Sequence, residues 1–282
     1  MLLRCSLLLL LFCCTCSTVR PRRPLKIVTI ETQPFMYKED GHFKGFLYQM
    51  LLYMQERMGF EFELEFVEDG KYGTKNPDGS WTGLVGTLLR GEADLALAPL
   101  TVTTERDAVI DFTMPYMHVK IGAMYKLPDY GERLPFQNVK DLQDSKIRFG
   151  PMKGGSTLQL LKNSKYPAFA ALGDHITEYE DELPDSISEA VEMVRNGDFV
   201  FIGESDMIRF YTDQRPCDLK MLDLNFQRGF ALAFPKGSNL ARDWSLNILT
   251  MKEEGLMSQL QAEWWVHECT GKPKLCICPV EL

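Results

Sequence analysis

ADLALAPLTVTTERDAVIDF, residues 93–112, is the stretch on which the fold turns. LALA is apolar throughout, as in a strand buried on both faces, and Pro99 has no N–H to continue a ladder. The spacing therefore predicts a buried strand ending at Pro99. Thr104 and Asp107 stand three apart, as an N-cap and N3 pair do, which predicts a helix starting at Thr104 with Arg106 in its first turn. A buried strand that runs into a helix start is the grammar of an α/β protein.

The flanking sequence repeats that grammar. PLKIVTI (24–30) is β-branched and reads as a first parallel strand, and PFMYKEDGHFKGF is loop. LYQMLLYMQERMGF (47–60) has helical spacing and stops at Gly59, a good C-terminal cap. EFELEFV alternates as a strand does. After the glycine-rich loop DGKYGTKNPDGSWTGL come a short helix, a turn at Gly91 and the buried strand. A second set follows. It has a strand at Lys146–Phe149, a turn at Gly154–Gly155 and a helix from Ser156, then helix, turn, strand and helix through DSISEAVEMVRNGDFVFIGESDMIRFY. LPDYGERLP (127–135) is the loose connector between them. Two α/β lobes of similar grammar predict a clamshell, each lobe a sheet flanked by helices. Ligands of such sheets sit beyond the carboxyl ends of the strands, in the cleft between lobes.

At 282 residues and 45% hydrophobic content, the chain can bury one or two real cores. A net charge of -8 argues against a nucleic-acid partner but leaves room for a locally basic site. MLLRCSLLLLLFCCTCSTVR begins with one cation before an apolar run too short to span a bilayer comfortably. Residues 1–18 are therefore expected to be a secretory signal peptide, cleaved between about Cys16 and Thr18, and the protein to be extracellular. Four of the 8 cysteines precede that cut, leaving Cys217, Cys269, Cys276 and Cys278, an even number for an oxidising compartment. No histidine sits at metal-ligand spacing, and there is no nucleophile elbow, HExxH or phosphate loop. No cofactor, metal or enzymatic activity is expected.

The binding chemistry reads as follows. Arginine is costly to bury, but at a helix start beyond a strand it presents a planar fork to a carboxylate. Pro99 offers only its carbonyl, an acceptor suited to an ammonium, and Thr101 can donate from hydroxyl and amide. Carbonyl, donor and guanidinium together match an α-amino acid. Gly154–Thr157 (GGST) forms a second anion-binding helix start. Glu204, after a strand, can hold an ammonium, and Tyr72, in DGKYG, can lid the pocket.

In their order along the chain, DGKYG, GLVG, ADLALAPLTVTTERDAVIDFTMPYM, GGST, ES, PCD, FPKGS and WW resemble the ligand-binding domain of ionotropic glutamate receptors, over about Leu25–Cys269. The resemblance implies a two-lobed clamshell of the periplasmic-binding-protein type II kind: lobe 1 over 24–118 plus 230–270, lobe 2 over 119–229, and a tail over 271–282. It implies that Arg106 takes the ligand α-carboxylate, that Pro99 and Thr101 help hold amine and carboxylate, and that Tyr72 covers the ligand. Ser156 and Thr157 would receive the distal carboxylate and Glu204 the amine. Phe230 would occupy a pocket position, Cys217 and Cys269 a family disulfide, and Trp264 and Trp265 a packing pair.

The departures are informative. The family's pore segments would fall where this chain has the short, polar YKLPDYGERLPFQ. Thr32 stands where many glutamate-binding members have a glutamate that bridges the lobes, and Phe230 where many have tyrosine. The expectation is a secreted, pore-less amino-acid-binding protein that favours L-glutamate. The alternatives are a glycine or D-serine-type ligand, or a decoy or partner domain for full receptor subunits, with dimerisation through lobe 1.

Overall fold

The computed structural model describes residues 23–128, 136 and 138–269. The signal-peptide, Cys276, Cys278 and C-terminal-tail expectations, and most of the 127–135 connector, lie outside them.

β1 (Leu25–Thr29) leads through a two-stranded ribbon, β2 (Tyr37–Glu39) and β3 (His42–Lys44), into α1 (Phe46–Met58) and β4 (Phe62–Phe66). α1 ends as its sequence predicts: Gly59 adopts φ 63, and its N–H closes on the Gln55 carbonyl. α2 (Gly83–Leu89), β5 (Leu95–Thr101), a single turn α3 (Thr104–Asp107), β6 (Ile110–Phe112) and β7 (Met117–Lys126) follow. Then come α4 (Val139–Asp144), β8 (Arg148–Gly150), α5 (Ser156–Asn163), α6 (Pro167–Ile176), α7 (Ile187–Asn196), β9 (Phe199–Glu204) and α8 (Ser205–Thr212). The 17-residue β10 (Leu219–Pro235), α9 (Leu240–Glu253) and α10 (Leu256–Trp264) complete the fold.

The strands form one mixed sheet in the order β4-β1-β5-β10-β7-β9-β8, with β6 also on β10. β1 runs parallel to β4 and β5, and β8 parallel to β9; β10 and β7 join the two parallel sets by antiparallel pairing. In the first set, alternation gives the sheet two apolar faces. Ile27, Leu95 and Leu97 pack toward α1, whereas Val28, Ala96 and Ala98 pack toward α2 with Leu84, Val85 and Leu88. Helix α9 adds the fully buried Trp244 against Phe60 and Phe234.

Two local expectations are corrected. β5 runs past Pro99 to Thr101. The strand accommodates the proline because the pairing of β10 slips there, between Ala231 and Ala233, where no N–H is required of it. The cap of α3 is Thr103, not Thr104: Thr103 is extended, and its hydroxyl accepts from the Arg106 N–H at 3.2 Å. The three-residue spacing holds from Thr103 to Arg106, which places Arg106 itself at the capped position.

β7 and β10 are paired from Leu219↔Lys126 to Phe230↔Met117, with His118 opposite Gly229. Their register shifts between Asp223 and Phe226, where Asn225 takes φ 56 and its N–H donates to the Asp223 carboxylate. Disulfide Cys217–Cys269 ties the segment before β10 to the segment after α10.

Candidate functional site

The carboxyl ends of β5 and β9 face each other, and their last residues touch: the Thr101 hydroxyl donates to Glu204 Oε1 at 3.0 Å. Thr157, in the first turn of α5, donates to the same oxygen at 3.0 Å, and Ser156 reaches it at 3.5 Å. Gly154, at φ 65, makes the turn that aims this helix start at Glu204. Three hydroxyls from two ends of the sheet thus converge on one buried carboxylate.

Arg106 is 3% exposed. Its Nη1 donates to the Thr101 carbonyl at 2.9 Å, and its Nη2 and Nε donate to the Gly73 carbonyl at 3.0 and 3.3 Å. No carboxylate is in ion-pair contact with it among the described residues. Burial pulls its pKa down to about 10, partly offset by Glu204, so it stays charged at neutral pH. A buried cation satisfied only by carbonyl dipoles is poised for an anion.

Tyr72 is held in the glycine-bounded loop above this pair. The loop is locked to α2: the Gly83 N–H donates to Asp69, Leu84 N–H to the Lys71 carbonyl and Val85 N–H to the Tyr72 carbonyl. Burial pushes the Tyr72 hydroxyl pKa well up, against a hydrogen bond to Thr32 that lowers it. Gly83 has φ 61, and a Cβ there would stand 2.1 Å from the Lys71 carbonyl oxygen. Gly83→Ala therefore displaces the loop carrying Tyr72 and Gly73, and urea titration should show stability lower by about 1–3 kcal/mol.

Tyr72, Pro99, Thr101, Arg106, Ser156, Thr157 and Glu204 all line one cavity of about 20 Å³. Phe230 is the exception. It is fully buried and packs edge-on against Phe35 at 5.6 Å and beside Tyr116 at 6.5 Å, so it backs the site rather than lining it. An apolar ring finds its partners in that aromatic cluster. Trp265 belongs to the same cluster, against Phe35 and Phe46, whereas Trp264 is half-buried at its edge, on Tyr37. Met152 and Met207 also line the cavity. They carry no polar signal that sequence reading could use, and they supply the apolar walls that raise the strength of the charges between them.

A family model described as "Ligated ion channel L-glutamate- and glycine-binding site" matches residues 23–129, the segment that holds Tyr72, Pro99, Thr101 and Arg106. The chain is similar to an ionotropic glutamate receptor ligand-binding domain. Its mixed sheet flanked by helices is the periplasmic-binding-protein-like fold of that domain. Among relatives, "Probable glutamate receptor" of Lithobates berlandieri is 25% identical over 92% of this chain and 76% of its own length. "Glutamate receptor U1" of Xenopus laevis is 24% identical over 91% of this chain and 77% of its own length. "Glutamate receptor ionotropic, kainate glr-3" of Caenorhabditis elegans is 23% identical over 90% of this chain and 44% of its own length. The first alignment spans 373 residues against a chain of 282, so within it that relative carries residues with no counterpart here. The matched family model describes a ligand-binding site, not a catalytic one.

Among the described residues, no helix is long and apolar enough to cross a membrane, and no group of three or more His, Cys, Asp or Glu could hold a metal.

Proposed function

We propose that this chain binds L-glutamate between a lobe formed by 24–118 plus 230–270 and a lobe formed by 119–229. The observation that carries the reading is the pairing in one cleft of a buried, carboxylate-free Arg106 with a buried Glu204 held only by hydroxyls. These fixed opposite charges fit the two charges of an α-amino acid. The α-carboxylate takes the guanidinium fork of Arg106 with the Thr101 amide. The ammonium takes Glu204 and the Pro99 carbonyl. The distal carboxylate takes Ser156 and Thr157 at the start of α5, where the helix end is partly positive.

At about 20 Å³ the cavity admits a single water, so the amino acid enters as the two sides part. Glu204 then exchanges the Thr101 and Thr157 hydroxyls for the ammonium, and Thr157 is released to the distal group. The carboxylate is satisfied in both states, which keeps the penalty of burying it small.

The protein is proposed to act as a secreted binder without a channel pore. The leader MLLRCSLLLLLFCCTCSTVR and the length by which the first relative's aligned span exceeds this chain support that reading. A role as a partner for receptor subunits, through lobe 1, is compatible with it.

Calorimetric titration with L-glutamate, glycine and D-serine tests the ligand. One-site binding of glutamate in preference to the other two is the expected result. Preference for glycine or D-serine would mean that Thr32 and Phe230 have reshaped the pocket. Binding of none would overturn the ligand reading.

A further inference from the structure

Beside the cleft lies a second cavity of about 290 Å³, which shares Arg106 and Ser156 with the first as common wall. Its far side is formed by Arg228, on β10 two residues before Phe230, and by the α5 amides Gln159 and Asn163. The Arg228 Nε is buried without a hydrogen-bond partner. Among the described residues the guanidinium makes no ion pair, and its contact is the Phe226 ring, 5.8 Å away.

Two arginines therefore face one cavity. Arg106 is buried and Arg228 half-buried, and the charge of Arg228 works against that of Arg106. Glu204 attracts both, but it is already engaged by hydroxyls. Glu204 does not line this cavity; the carboxylate that does, Glu105, is exposed and in ion-pair contact with neither arginine. Two guanidinium groups at one opening with no carboxylate in ion-pair contact are what an anion-receiving site requires, and the Gln159 amide, whose oxygen accepts from Asn163, adds a neutral donor. The space is much larger than one anion needs, so it can hold several further heavy atoms of a ligand seated on Arg106.

We propose that Arg228 and this cavity form a subsite for a second acidic group on an elongated amino-acid ligand, one whose terminal anion lies beyond the reach of glutamate. The proposal rests on the assignment of the main cleft to an acidic amino acid. Arg228 is then a specificity-determining residue, which extends the accepted ligands to γ-glutamyl compounds with a terminal carboxylate.

The test is calorimetric titration of the whole chain with L-glutamate and with γ-L-glutamyl-L-glutamate, for the natural protein, Arg228→Gln and Arg228→Lys. Thermal melts check that each variant is folded. The natural protein should bind both ligands. Arg228→Gln should weaken the dipeptide by about tenfold or more, the loss of a charge-assisted contact, while changing L-glutamate by less than about threefold. Arg228→Lys should recover part of the loss, because charge returns without the fork. Binding of glutamate without the dipeptide, or equal weakening of both by Arg228→Gln, overturns the subsite and leaves the main-cleft reading standing. Binding of neither ligand to the natural protein overturns both.

Discussion

Arg106→Ala lowers the affinity for L-glutamate by about two to three and a half orders of magnitude, read by calorimetry, while the chain stays folded. The size follows from what is left behind. A ligand carboxylate that enters a closed cleft without its cation is a buried, unpaired charge, and breaking such a pair costs about 3–5 kcal/mol. The fold suffers less, because Arg106 is bound to two backbone carbonyls and to no side chain. Its removal frees the Gly73 and Thr101 carbonyls, each worth about 1 kcal/mol, but it also removes a desolvated charge. Arg106→Lys should fall between, since a point charge cannot make the two-pronged contact. Undiminished binding by Arg106→Ala would place the carboxylate elsewhere.

The second large effect belongs to Glu204→Gln. The amide keeps the shape and one acceptor oxygen for the Thr101 and Thr157 hydroxyls, so the unliganded protein should melt no lower than the natural one. Binding is different, because the ammonium loses its counter-charge in a water-poor cleft. A loss of about 2–5 kcal/mol in glutamate affinity is the expected result. The control is a ligand without the ammonium. 2-Oxoglutarate should bind the natural protein poorly, since it leaves Glu204 unmatched, and the gap between the two ligands should narrow in the variant. An unchanged gap would remove Glu204 from the amine site.

These two residues differ in how plainly the sequence announces them. Arg106 is legible because a cation just past a fully apolar strand has to be accounted for, and the threonines before it mark a helix start. The cap itself is displaced by one residue, since Thr103 and Thr104 offer the same hydroxyl and only backbone geometry separates them. GGST is legible through its glycines. The opening strands and α1 follow from alternation and from Gly59. What local periodicity cannot give is the 17-residue β10. Its middle contains Asp223 and Asn225, which read as a turn, yet the chain absorbs them as a register shift and continues. Long-range pairing with β7 overrides the local preference there. Arg228 is missed for the same reason: its position beside the cleft is fixed by that pairing. The one signal in the sequence is a cation at the head of the apolar run GFALAF. Phe230 is read as lining the pocket because it falls at a pocket position of the family, whereas its ring is turned into the aromatic cluster with Phe35.

The long pairing of β7 with β10 also constrains how the cleft can move. Two backbones cross together from one set of strands to the other and are stitched along Met117–Lys126 by a ladder whose one register shift lies between Asp223 and Phe226. Such a ribbon resists sliding, because sliding would break every rung at once, whereas bending or twisting strains each rung only slightly. On the proposed two-lobe reading, with its boundary near His118 and Gly229, the cleft would then gape by a swing about a single axle. Groups close to that axle, Phe230 among them, would scarcely travel. Groups farther out, such as the start of α5, would sweep through a larger arc. Lever length, as much as chemistry, then decides which ligand atoms are gripped last and let go first.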